Sequence, residues 1–164
     1  MLTVTVGDAP AALRASVLAM RQADSEIRRG VSARMRGELN PVWKAEVAKR
    51  AGGGLAAKVL NPGTRITGGN PPQLIAASSK RKIGNGLVPD RHWAGYEHGA
   101  NDSTRVLTST KGKRYKRHVM RHLPGRGPGR ALEPAAREVL PRVASFYAQS
   151  VIKLFMDAVE TGQN

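Results

Sequence analysis

Two groups of residues carry side chains able to do acid–base or metal chemistry. One is His92, Glu97 and His98 in "RHWAGYEHG" (91–99), and the other is His118 with His122. A metallopeptidase helix of the form H-x-x-E-H needs its two imidazoles one turn apart around a single ion. Here the leading histidine stands five residues before the glutamate instead of three. His118 and His122 would share one face of a helix and could hold a metal there. On a strand they would lie roughly 13 Å apart at about 3.3 Å per residue, too far for one ion. Their surroundings, "STRVLTSTKGKRYKRHVMRHL", alternate as strands do, so no metal site is expected.

Other routes to catalysis are missing from the pattern. There is no G-x-S-x-G elbow, and "GGGLAAK" lacks both the Lys-Ser/Thr ending and the preceding strand of a phosphate loop. With no cysteine, the chain has no disulfide, no thiol nucleophile and no Cys-based zinc site, which suits a reducing compartment. Zinc-finger spacing, an aromatic RNA-recognition motif and a helix-turn-helix are also absent. The expectation is a protein without a catalytic set, metal or cofactor. Within 91–99, Trp93 and Tyr96 are then expected to pack, Glu97 to act as a structural acid paired with an arginine of the basic middle region, and Gly99 to make a turn at positive φ.

The charge is concentrated. The net +15 divides into 9 basic and 5 acidic residues over 1–50, 2 and 0 over 51–79, 13 and 3 over 80–130, and 3 and 4 over 131–164. Such a middle region meets something anionic, either nucleic acid or an acidic protein surface. Lys111, Lys113, Arg114, Lys116, Arg117, Arg121, Arg126 and Arg130 are the candidate basic residues for that contact.

Elements that position these groups follow from periodicity and punctuation. Asp8 and Pro10 open a helix whose stripe of Leu13, Val17, Met20, Ile27 and Val31 runs to about residue 37. Asn40-Pro41 restarts it as a second piece carrying Val42, Trp43 and Val47, and "AGGG" ends it. Trp43 is read as a core anchor. Residues 51–130 read as sheet and loops: β-prone pieces around Asn61-Pro62-Gly63, an apolar run in "PPQLIAASS", then a hairpin with strands at 103–109 and 114–123. Neither face of that hairpin is cleanly apolar, so it should project from the core. "LPGRGPGR" (123–130) is an irregular loop. A final helix covers about 132–160, with Pro134 in its first turn and a kink or restart at Pro141. Helices at both ends of a small, mainly antiparallel sheet define an α+β fold, and 164 residues suit one domain over 1–164. No segment approaches 18 apolar residues and no export signal opens the chain, so neither a membrane span nor a membrane partner is expected.

"WAGYEHGA" (93–100) resembles the aromatic-x-x-Tyr/Val-Glu-aromatic-Gly-Thr/Ala pattern of bacteriophage neck and minor tail proteins, the tail-completion group of long-tailed phages. "PGRGPGRALEPAARE" (124–138) is similar to the Pro-containing segment that opens the last helix in that family. The order of "LNPVWKAEVAKRA", "NPGTRI", "GNPPQLIAASSK" and "WAGYEHGANDSTR" looks like its actinobacterial-phage branch. His98 stands where the family usually has Phe, and Ala131-Leu132-Glu133 matches Phe-Leu-Arg loosely.

The resemblance implies a structural virion protein of the head-to-tail connector, assembled in the host cytoplasm as a homo-oligomeric ring of six or twelve copies. Its implied partners are head-completion proteins and the tail terminator or tail tube. Genomic DNA in the channel would be a further contact of the basic region, although acidic protein surfaces suit that region better, since a lumen gripping phosphates would hinder DNA exit. Alternatives are a tail terminator of the same assembly, a basic nonspecific DNA-binding module, or a small metal-dependent hydrolase using His92, Glu97 and His98.

Overall fold

The computed structural model describes residues 1–5, 11–100, 104–118, 123 and 125–161. Its elements in order are β1 (Leu2–Thr5), α1 (Ala11–Gln22), α2 (Ser25–Ala51), α3 (Gly54–Leu60), β2 (Arg65–Thr67), β3 (Gln73–Ala76), a short 3-10 turn at Gly84–Gly86, α4 (Pro89–His98), β4 (Thr104–Thr108), β5 (Arg114–His118) and α5 (Leu132–Thr161). The architecture is α+β. Helices from the two ends of the chain pack together against a three-stranded antiparallel sheet of order β1-β3-β2, and β4-β5 forms a separate hairpin.

Helix α2 starts where Asp24 turns its carboxylate onto the amides of Glu26 and Ile27, at 2.8 and 2.9 Å. This occupies two of the donors that a helix start leaves without a partner. The expected single helix over 9–37 is therefore two, broken at 23–24. Beyond the cap, Val31, Met35, Leu39, Trp43, Val47 and Ala51 recur every four residues and are all buried. They face Ala136, Val139, Val143, Tyr147 and Val151, the buried side of α5. Gly30 allows the close approach, since a Cβ there would stand 3.2 Å from Leu154 Cδ1.

Neither internal proline breaks its helix. Pro41 lies inside α2 and Pro141 inside α5, so the restart expected at Pro41 does not occur and α5 runs on through Pro141. Each removes one backbone hydrogen bond, a cost of about 3 kcal/mol. Burial of Leu39, Trp43, Val139 and Val143 on either side offsets it, at roughly 1.5–3 kcal/mol per buried side chain. Asn40 is consequently not a cap: its side-chain oxygen accepts the Ile66 amide of the edge strand β2.

The sheet is fastened to this helical layer by one buried polar contact. Trp43 Nε1–H donates to the Ile75 carbonyl of the central strand at 2.9 Å. Ile66, Leu74 and Ala76 are buried in the same core. Strand β1, which the sequence reading did not anticipate, pairs with β3 from Leu2↔Ala76 to Thr5↔Gln73. Residues 55–60, expected as β-prone, lie in the helix α3, in which Val59 and Leu60 are buried. The Asn-Pro-Gly turn after it is as expected, with Gly63 at φ 78. No described helix is long and apolar enough to cross a membrane.

Candidate functional site

Residues 91–98 are helical and lie in α4. Pro89 occupies the first turn of α4, where its missing N–H costs nothing, and Gly99 ends the helix at φ 75, a conformation costly for any residue with a Cβ. Tyr96 is buried and Trp93 partly buried against the core, and the Trp93 ring meets His98 edge-on at 5.9 Å between centroids. Burial pushes the Tyr96 phenol above its usual pKa.

Glu97 is the centre of the site, and its side chain is 0 % exposed. Its carboxylate accepts hydrogen bonds from the amides that open α5. Oε2 takes Leu132 N–H at 2.8 Å and Ala131 N–H at 3.2 Å, and Oε1 takes Glu133 N–H at 2.9 Å and Ala131 N–H at 3.3 Å. Two backbone bonds extend the contact: Arg130 N–H donates to Glu97 O at 3.2 Å, and Gly127 N–H to His98 O at 2.8 Å. Thus α4 caps α5 from across the fold.

The expected arginine partner is not seen among the described residues. Among the described residues no Lys or Arg forms an ion pair with Glu97. What compensates the charge is the N-terminus of a 30-residue helix, where aligned peptide dipoles sum to roughly half a positive charge and the first amides lack partners within the helix. Those amides fit a carboxylate as well as a guanidinium does, and they need no further buried charge. Gly129 permits the tight loop, because a Cβ there would collide with the Glu133 side chain.

This geometry decides what the residues can do. Both Glu97 oxygens are occupied and closed to solvent, so this carboxylate cannot accept a proton from a substrate or ligate an ion without dismantling the start of α5. His92 Nδ1 lies 2.9 Å from both the N and the O of Val88, one turn back on its own helix. His98 Nε2 lies 3.8 Å from Glu133 Oε1, an ion pair only when the imidazole is protonated. Among the described residues no group of three or more His, Asp or Glu is placed to hold a metal ion. His118 lies in β5, and His122 falls outside the described residues.

The candidate basic residues divide between two places. Lys111, Lys113 and Arg114 occupy the exposed tip of the β4–β5 hairpin. The tip closes with Gly112 N–H on Ser109 O and Ser109 N–H on Lys113 O, both at 2.9 Å, with Gly112 at φ 74. A turn followed by a left-handed glycine is a common three-residue hairpin loop, so the tip has a definite shape. Lys116 and Arg117 take register positions opposite Val106 and Arg105. Arg121 lies outside the described residues. Arg126 and Arg130 are exposed in the loop before α5, where Arg130 Nη2 bonds Gly125 O at 2.6 Å. The hairpin also exposes Val106 (50 %) and Tyr115 (44 %).

Sequence reasoning missed one surface altogether. Between the start of α2 and the end of α5 runs an open groove of about 380 Å³, with Asp24, Glu26 and Asp157 around Ile27, Leu154 and Ala158. The available signal was the charge count, since 131–164 is the one segment of the four where acids outnumber bases. No protein-family model, curated protein or solved structure matches the chain.

Proposed function

We propose that this protein is a structural subunit of a bacteriophage head-to-tail connector, a ring component that joins the DNA-filled capsid to the tail tube. One observation carries the reading: the segment richest in chemically able side chains is used to fasten α4 to the start of α5, with Glu97 sealed inside. The surfaces left to outside partners are the basic hairpin and the grooved helix ends. A ring subunit needs this division, a stiff body with shaped projections that neighbouring copies and connector proteins complete. The ordered motifs around Trp93–Gly99 and 124–138 supply the family expectation. Acidic protein surfaces are the preferred partners of the hairpin, since it exposes apolar as well as charged side chains.

Electron microscopy of phage particles made without this gene product tests the proposal. Filled heads lacking tails, beside free tails, are the expected defect, reversed when the protein is supplied. Normal virions in its absence would overturn it.

A further inference from the structure

We infer that copies of this chain associate head to tail, the basic hairpin tip of one seating in the acidic groove between α2 and α5 of the next. The inference takes from the proposed ring only the idea that the assembly closes; the contact itself rests on two surfaces of a single chain.

The tip offers Lys111, Lys113 and Arg114, all exposed and, among the described residues, in no ion pair. Of the acids of the surrounding segment that lie among the described residues, Asp90 faces the terminal amine and Glu97 is sealed at the start of α5. The groove offers the opposite sign. Asp24, Glu26 and Asp157 line it and, among the described residues, no Lys or Arg does. The nearby Arg28 and Arg29 bond back along their own helix, Arg28 Nε to Asp24 O and Arg29 Nε to Ser25 O.

Apolar surface matches as well. Ile27 and Leu154 form part of the groove wall, while Val106 and Tyr115 are exposed on the hairpin; the register Val106↔Lys116 and Leu107↔Tyr115 sets them on opposite faces, so one of the two can meet the groove. A phosphate backbone would satisfy the lysines and offer no apolar contact to the side chain on the docked face, which favours a protein groove over nucleic acid. No described hairpin residue lines its own groove. Because the two surfaces differ, the contact is heterologous, and repetition gives a ring when the rotation closes.

The chain has no cysteine, so introduced thiols report the contact directly. Thr110→Cys at the tip and Ala158→Cys in the groove are made as separate full-length variants, mixed, and oxidised. Mixed disulfide dimers are expected to exceed either homodimer at least tenfold, and to fall as salt shortens the screening length from about 10 Å at 0.1 M to about 3 Å at 1 M. Adding Lys111→Glu, Lys113→Glu and Arg114→Glu to the tip variant should abolish the mixed product. Adding Glu26→Lys and Asp157→Lys to the groove variant should then restore it. Mixed product no more abundant than the homodimers, or indifferent to charge reversal, overturns the inference. So does duplex DNA binding lost on tip reversal without any mixed disulfide, which would assign the tip to phosphates. All arms use purified chain, so their failure is distinct from a failure of the virion test.

Discussion

Removing the Glu97 carboxylate should cost a large share of the folding free energy, and the structure sets the size. In Glu97→Ala, the amides of Ala131 and Leu132 lose their buried acceptor and that of Glu133 a partly buried one. Each orphaned buried donor costs about 1–3 kcal/mol. Water entering the space left by the side chain recovers part of this, so a net loss of about 3–5 kcal/mol is expected. Against a total of roughly 5–15 kcal/mol, that is a severe destabilisation. Glu97→Gln keeps one acceptor oxygen but sets an NH2 group against the other amides and removes the charge facing the helix dipole. About 1–3 kcal/mol is expected for it. Urea unfolding followed by the fluorescence of Trp43 and Trp93 measures both, and amide exchange at 131–133 should accelerate in step. A loss below about 1 kcal/mol for the alanine variant, with exchange at 131–133 unchanged, would refute the capping argument. Equal losses for Gln and Ala would show that retaining one acceptor contributes nothing.

Other expected outcomes use the same unfolding assay. Burial pushes the Tyr147 phenol up to about 12 from 10.0, so the folded chain holds this proton where the unfolded chain releases it. Stability should therefore fall as pH rises from 10 to about 12, at about 1.4 kcal/mol per unit, and Tyr147→Phe should remove that part of the decline. Asp24→Ala should cost about 1 kcal/mol by uncapping α2, and Asp24→Asn should recover most of it. In Gly68→Ala the new Cβ would overlap the backbone of Ser32, whose hydroxyl donates to Gly68 O at 2.6 Å. A cost of about 1–3 kcal/mol is expected, with a parallel gain in exchange along 65–67.

How far the sequence could be read depended on whether a residue's partner was near it. Gly52, Gly63 and Gly99 mark local turns, and each stands at positive φ where a helix or turn ends. The apolar spacing of α5 likewise located a helix that runs from Leu132 to Thr161. Pro41 misled because its cost is local, whereas the burial that offsets it comes from the opposite helix. Strand β1 escaped notice because its partner is β3, some 70 residues on, although "LTVT" alternates as a half-buried strand does. Asp24 was more accessible: a capping acid directly before Ser-Glu-Ile is a recognisable helix start, hidden by an apolar stripe that continued through it.

Glu97 shows the limit most sharply. That it was structural followed from failed metal spacing, but its partner lay 34 to 36 residues away and was backbone, which has no residue type to search for. An excess of arginine in the middle of the chain made a guanidinium the natural guess. The physical contest ran the other way, because a buried guanidinium would bring its own desolvation cost, whereas the opening amides of α5 needed acceptors in any case. Capping α5 with an acid from α4 answers both needs at once and leaves the arginines outside, where their charge remains available to a partner. The same excess of positive charge that suggested the wrong partner for Glu97 therefore marks the surface on which assembly is argued to depend.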